Sequence, residues 1–451
     1  MVKIGLEVHG YIVSREKLFC DCLAEHGAKH SLSNTNICSV CTGQPGAKPM
    51  LPNKVAIDKA IMIGLILGCK INNKMSWQRK HYSWPDLPKG YQNTLSGPYA
   101  IPVGEKGNFL GINITECHLE EDPASWNPET GEIDYNRSGS PLIEIVTEPD
   151  FKNSEQVVEW LEQLVATLSY VKAIDKKLGV KADVNVSISG GERVEIKNVN
   201  SLKKIKSAIE YEIKRQEKDI PKIQETRMFD ESKGITKLMR TKENAQDYRF
   251  ISDPDLPVVK LEKKRVEKIK KSLPMTPSEK LNHLIKKYKI DEKYAKILIK
   301  NLDVVDFFEK VISRTDSRLA VRWITEELFS VLNYNKKELE DIDINVEHFI
   351  ELLNYIKDNK ISELQAKDIL RSWKEKSESV KDFVSANAII NDSGEIVKLV
   401  RKVISENKKA VDDYQNGEAK SMNFLVGQVM RLSNKRADFK TAREILEREM
   451  K

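Results

Sequence analysis

Two pairs of cysteines stand close together near the start of the chain, Cys20-x-Cys22 and, after fifteen intervening residues, Cys38-x-x-Cys41. Four thiolates in two close pairs suit tetrahedral Zn2+, because each pair supplies two ligands from one turn and the loop between them closes the site. Four protein ligands leave no open position, so such an ion would be structural. Cysteines in an ordinary core or surface position are the alternative. Cys69, at the end of an apolar helical stretch, and Cys117, inside a strand-like run, read as core residues.

A scattered acidic set comes next. Glu7 and His9 lie two positions apart, so on a strand they share one face. Glu120, Glu121 and Asp122 follow the run 112–119, and Glu144 interrupts the apolar strand Pro141-Leu142-Ile143-Glu144-Ile145-Val146. An acid there is costly unless it is paired or metal-bound. Carboxylates with one imidazole could hold Mg2+, which takes oxygen ligands and leaves room for phosphate oxygens. Separate salt bridges would account for the same residues.

The segment 79–92 mixes cations (Arg79, Lys80, Lys89), aromatics (Tyr82, Trp84, Tyr91) and two prolines. Cations could hold phosphate and rings could stack on a base; a surface loop could have the same composition. Farther on, Asp183 with Asn185, and Glu195 with Lys197, are spaced to share strand faces, with Asn198 and Asn200 alongside. They could line a cleft, and a solvated sheet face would look no different. Several chemistries are missing: there is no Gly-x-x-x-x-Gly-Lys-Ser/Thr phosphate loop, no Gly-x-Gly-x-x-Gly, and no Ser-rich amidase signature.

These residues need elements to position them. In 451 residues, 40% apolar and 31% charged, there is enough material for about three domains with real cores and no sign of wholesale disorder. The net charge of +6 is too mild to prove nucleic-acid binding. No apolar run reaches the about 20 residues that span a bilayer, and Glu7 and His9 interrupt any signal-peptide layout, so a cytoplasmic protein with no membrane partner is expected. Residues 181–189 and 193–199 alternate as strands around the turn 189–192. Asn53 is placed to cap a helix over 55–67, and Asn153 with Gln156 forms a capping-box pattern before Val157, Leu161, Leu164 and Leu168. Leu202, Ile205, Ile209 and Ile213 make a further helical stripe. Beyond about residue 273, Pro274 and Pro277 mark a boundary, and the chain becomes helical and Lys-rich, with another break near 377–381.

The motifs together resemble one family, the B subunits of tRNA-dependent amidotransferases (GatB). The resemblance rests on Ile4-Gly5-Leu6-Glu7-Val8-His9, Ser33-Asn34-Thr35-Asn36 and His118-Leu119-Glu120-Glu121-Asp122. The long stretch from Asn136-Arg137 through Pro141-Leu142-Ile143-Glu144 to Pro149-Asp150 is the most specific of them. Gln224-Glu225-Thr226-Arg227, Asp247-Tyr248-Arg249 and Phe424-Leu425-Val426-Gly427-Gln428-Val429-Met430 complete it. It covers essentially the whole chain. The sister family GatE shares these motifs but carries a large inserted domain, for which 451 residues leave no room.

The resemblance implies an α+β fold: a cradle-shaped catalytic domain with an antiparallel sheet over 1–273, a helical domain over 274–376, and a small helical, YqeY-like tail over 377–451 that contacts tRNA. It implies ATP-dependent phosphorylation of the side-chain carboxylate of Asp-tRNA(Asn) or Glu-tRNA(Gln). Ammonia from a partner amidase (GatA) then displaces phosphate, with a third, small protein (GatC) strapping the two together. Glu7, His9, Glu121 and Glu144 match the family's Mg2+-binding positions. Lys80, Tyr82, Lys89 and Gln92 match its loop beside the active site, and Lys197 and Asn198 its strand motif, with Asp183 expected to face ATP or substrate. Some bacterial members lack the four cysteines, which implies that zinc pins the N-terminal loop and takes no part in the chemistry.

Overall fold

The computed structural model describes residues 2–24, 31–175, 178, 180–199, 201–241, 248–386, 390 and 393–450. The chain divides into two compact units, residues 1–276 and 277–451.

Unit 1 is built on one sheet. Its strands are β1 (Val2–Tyr11), β2 (Lys70–Ile71), β3 (Lys74–Met75), β4 (Gln78–His81), β5 (Tyr91–Thr94), β6 (Gly104–Phe109), β7 (Ile112–Glu121), β8 (Ser125–Trp126), β9 (Ile133–Asp134), β10 (Pro141–Thr147), β11 (Val180–Ile188), β12 (Val194–Val199), β13 (Glu225–Asp230), β14 (Ile235–Thr241), β15 (Arg249–Ser252) and β16 (Val259–Lys260). The main order is β14-β13-β12-β11-β1-β10-β7-β5-β4-β15, with β6 pairing β2 and β7; β3 with β16, and β8 with β9, form two-stranded ribbons. Only the β12–β13 pair in this sheet is parallel among the described residues. β1, which carries Glu7 and His9, and β10, which carries Glu144, are neighbours at its centre.

Period-two alternation divides the sheet into an apolar and a polar face. Ile4, Leu6 and Val8 of β1, Ile143 and Ile145 of β10, Leu119 of β7 and Val184 and Val186 of β11 are all at most 1% exposed. Helix α1 (Lys54–Ile66) packs on β6 and β7, and α3 (Leu202–Lys218) on β11, β12 and β14. Helix α2 (Ser154–Tyr170) packs on α3 and places Trp160 against Phe109 and Phe151. The helix starts follow the sequence. Asn53 Oδ1 accepts from the amides of Val55 and Ala56, and Asn153 Oδ1 from that of Gln156. Gln156 does not close a capping box on Asn153; its Oε1 accepts from the Lys152 amide, one residue earlier. The connection from β9 to β10 carries Arg137 and Gly139 to the start of β10. Helix α4 (Lys263–Lys271) closes the unit.

Unit 2 is helical. It opens with Pro277 at the first position of the helix Pro277–Tyr288, where a missing amide proton costs nothing. Its last part has its own core. The helix Ala419–Leu432 buries Met422, Leu425, Val426, Val429 and Met430, the spacing of one helical face, against Val400, Val403 and Leu446. Among the described residues of the chain no helix is long and apolar enough to cross a membrane.

Candidate active site

Residues directly opposite in neighbouring antiparallel strands project from the same face. His9 stands opposite Glu144, and Glu144 opposite His118; on the other side of β1, Glu7 stands opposite Asp183 and His9 opposite Lys181. Alternation adds Glu116 and Glu120 from β7, and Asn185 and Glu195 pair across β11 and β12. The polar face of the sheet is thus a continuous field of carboxylates, imidazoles and ammonium groups spanning β7, β10, β1, β11 and β12.

Within this field lie two clusters. His9, Glu120 and Glu144 each offer a ligand atom within 4.8 Å of the others, and so do Glu7, Asp183 and Glu195. His9 Nε2 lies 3.4 Å from Glu144 Oε2 and 3.5 Å from Glu120 Oε1. His118 Nε2 reaches the same Glu144 oxygen at 3.1 Å. Burial alone would raise Glu144, but the two imidazoles outweigh it and hold the carboxyl well below its usual range. His9 is pushed up to about 9, because Glu144 and Glu120 overcome the desolvation that would lower it. His118 is pushed up to about 10 on the same balance, with Glu144 and Glu116 as partners. Glu120 is raised, by burial first and then by the charge of Glu144. Glu7 is also raised, by burial and then by Glu144 and Glu195, and accepts from Asn185 Nδ2 at 3.1 Å. Lys197 supplies the cation of the second cluster, pairing with Glu195 and, at 2.9 Å, with Asp183. Both carboxylate sets fit a hard divalent cation; the imidazole of His9 is the less usual ligand for Mg2+.

At the other end of the polar field, Lys80 Nζ sits 4.8 Å over the Tyr248 ring, and Tyr82 meets that ring edge-on at 5.9 Å. Burial, then the charges of Asp86 and Glu120, push the Tyr82 phenol up. Gln92, opposite Lys80 in the β4–β5 pair, donates through Nε2 to the Glu121 carbonyl at 2.9 Å.

The reverse face of β4, β5 and β7 carries a separate network. Glu121 Oε1 accepts from Lys89 and, at 2.9 Å, from the Asn93 amide. Asn93 Nδ2 donates to Asp253 at 2.6 Å, and Asp253 accepts from Arg79 Nε at 2.8 Å. Burial would raise Asp253, but Arg79 and Asn93 hold it below its ordinary value.

The sulphur atoms of Cys20, Cys22, Cys38 and Cys41 lie within 4.8 Å of one another, a donor set that fits tetrahedral Zn2+. Lys17, 1% exposed, points into this group: its ammonium lies 3.4 Å from Cys41 Sγ and donates to the carbonyls of Asn36 and Tyr135. The Cys20 hydrogen bond, with Lys17 adding to its effect against burial, pushes the Cys41 thiol down from its ordinary value. The cysteine loop also presses on the 79–92 segment. A Cβ at Gly43, where φ is +66°, would stand 2.4 Å from the Pro88 carbonyl oxygen, so only glycine permits that approach. Phe19, beside Cys20, lies 5.7 Å under the ammonium of Lys89.

Comparison with known proteins places the sequence in a family. Residues 2–267 match the family model of the GatB/GatE catalytic domain, and residues 306–450 match that of the GatB domain. The B subunit of the aspartyl/glutamyl-tRNA(Asn/Gln) amidotransferase of Methanocaldococcus jannaschii is 44% identical over 466 residues, covering 99% of this chain and 97% of its own. The protein of the same name from Methanobrevibacter smithii is 41% identical over 442 residues, 96% of each chain.

The chain belongs to the GatB/GatE family.

In this GatB/GatE chain the four residues expected to share one cation are not all brought together: His9 and Glu144 are, Glu7 and Glu121 are not. Glu121 does not join His9 and Glu144; Glu120 does, because successive side chains of β7 leave opposite faces and only Glu120 shares a face with His118. Glu7 groups with Asp183 and Glu195. Lys89 also lies on the reverse face, held by Glu121 and Asn93. The side chain of Asn198, with Asn200 and Asp247, lies outside the described residues. Sequence gives His118 and Glu116 no site role, although Glu116-Cys117-His118-Leu119-Glu120 alternates strictly and signals one polar face. Lys17 has no such signal: its partners Asn36 and Tyr135 are far along the chain.

Proposed function

We propose that this chain is the carboxylate-activating component of a glutamine-dependent tRNA amidotransferase, an ATP-dependent carbon–nitrogen ligase. The observation that carries the reading is the His9–Glu120–Glu144 cluster beside Glu7–Asp183–Glu195 on one open sheet face, in a chain whose relatives are named as amidotransferase B subunits.

The side-chain carboxylate of Asp-tRNA(Asn) or Glu-tRNA(Gln) is a poor electrophile. Transfer of the γ-phosphoryl group of ATP converts it to an acyl phosphate and releases ADP; ammonia then forms the amide bond and phosphate leaves. Phosphoryl transfer needs positioning and charge neutralisation more than covalent help. His9, Glu120 and Glu144 would hold Mg2+, with Glu7, Asp183 and Glu195 as the neighbouring carboxylate group. When bound, that ion neutralises phosphate charge. Lys80 and Lys197, cations on the same face, would attract the phosphates, and Tyr82 would flank them. Lys89 and Gln92 act on the geometry from the β5 side. In this reading ammonia comes from a partner amidase (GatA), a small third protein (GatC) completes the complex, and the four cysteines hold structural Zn2+. The division into a catalytic domain (1–273), a helical domain (274–376) and a tRNA-contacting tail (377–451) belongs to the same reading.

Amidation by the purified chain tests it, with ATP, Mg2+ and ammonium salt in place of GatA and the two misacylated tRNAs supplied separately. ATP-dependent conversion, lost in Glu144→Gln, is the expected result. Failure on both tRNAs, repeated with GatA and GatC present, would leave a zinc-containing tRNA-binding protein in its place.

A further inference from the structure

We infer that His118 is a positioning residue that fixes the carboxylate of Glu144 for cation binding, and that Glu116 in turn fixes His118. The inference rests on the reading above that His9, Glu120 and Glu144 hold a divalent cation.

His118 lies under the cluster rather than in it. Its side chain is 1% exposed, whereas His9 retains 22% and Glu144 15%. Both of its ring nitrogens face carboxylates: Nε2 lies 3.1 Å from Glu144 Oε2, and Nδ1 lies 3.2 Å from Glu116 Oε1, close enough for an ion pair though out of line for a hydrogen bond. The ring is therefore gripped from both ends. Glu116 is itself held, accepting from Ser96 Oγ at 2.5 Å. A chain of contacts runs Ser96–Glu116–His118–Glu144, and its last member is a donor atom of the cation cluster. Three of the four come from adjacent strands in direct register, His118 opposite Glu144, with Glu116 two positions before His118.

The geometry separates the two histidines. Glu144 Oε2 is approached by His9 Nε2 at 3.4 Å and by His118 Nε2 at 3.1 Å. His9 can use Nε2 to ligate a cation or to hold Glu144, but not for both at once. His118 faces no such choice. It stays behind Glu144 whichever way His9 turns, so the carboxylate keeps its place when the cluster opens to receive an ion. Partners of this kind, one bond removed from the metal, are worth about 10- to 100-fold in metal affinity.

The test is Mn2+ binding to the full-length, zinc-replete chain, with bound and free ion distinguished by electron paramagnetic resonance and neither ATP nor tRNA present. His118→Leu is expected to weaken Mn2+ binding about tenfold or more. His118→Gln, whose amide can donate from near the Nε2 position, should recover affinity to within about threefold of the parent, and Glu116→Gln should fall between the two. Rescue by the glutamine is what a merely space-filling histidine would not give. If His118→Leu is folded by circular dichroism and binds Mn2+ as tightly as the parent, the inference is overturned. If His118→Leu does not fold, Glu116→Gln decides, and unchanged affinity there overturns it equally. A parent chain that binds no Mn2+ is a different result: it removes the cation reading itself, and this inference with it.

Discussion

Glu120 and Glu121 are consecutive residues that face opposite sides of one strand. Glu120 lies 3.5 Å from His9 Nε2 on the polar face, while Glu121 accepts from Lys89 and the Asn93 amide on the reverse. The two neighbours therefore have separable effects. Glu120→Gln removes a donor from the cation cluster and should lower Mn2+ affinity by at least about tenfold, with little change in melting temperature. Glu121→Gln should leave Mn2+ affinity within about threefold, yet cost about 1–3 kcal/mol in urea unfolding, because it leaves the partly buried Lys89 ammonium without its counter-charge. The reverse pattern would show that the strand is out of register by one residue.

The cysteine cluster makes a prediction about content and stability. The purified chain should carry about one Zn2+, measured by mass spectrometry of the metal, and Cys38→Ser or Cys41→Ser should lower that content and the melting temperature together. Lys17→Met should also loosen zinc, because the buried ammonium at 3.4 Å balances thiolate charge. Zinc retention in Lys17→Met equal to that of the parent would contradict this.

Asp253 gives a pH signature. Its folded carboxyl is depressed below the ordinary 3.8 by Arg79 and Asn93. A depressed carboxylate contributes stability that is present above the unfolded value and is lost as pH falls through the folded value. Asp253→Asn should therefore be less stable than the parent by about 2 kcal/mol between pH 5 and 8, and the gap should narrow below pH 3.8. Urea melts across this range check it; a gap that widens in acid would mean that the carboxyl is not ion-paired.

The tail core separates two other neighbours. Leu425 is wholly buried and Phe424 is 49% exposed on the same helix. Leu425→Ala should cost about 2–5 kcal/mol, whereas Phe424→Ala should stay within about 0.5 kcal/mol. Calorimetry of both variants measures the difference.

Much of this is legible in the sequence. Helix starts at Asn53 and Asn153, the strand pair around residues 189–192 and the four-cysteine cluster depend on local chemistry, and local chemistry is written in short spacings. The polar face is half legible. Alternation in Glu116-Cys117-His118-Leu119-Glu120 places Glu120 with His118, while the family resemblance points to Glu121, which the pleat turns to the reverse face. Pairings closed only by the fold are beyond any such reading. Arg79 meets Asp253 across 174 positions, and Lys17 meets the Tyr135 carbonyl across 118. No spacing rule reaches that far, because those distances are set by strand order, and strand order here runs far from chain order.

The most direct test of carboxylate activation is trapping with hydroxylamine. Misacylated tRNA would be incubated with the chain, ATP and Mg2+, with hydroxylamine replacing ammonia, and the released amino acid examined for its side-chain hydroxamate. We predict hydroxamate that requires ATP, appears in step with ADP, and is absent with Glu144→Gln. Hydroxamate formed without ATP, or none from the complete complex with either tRNA, would contradict the account.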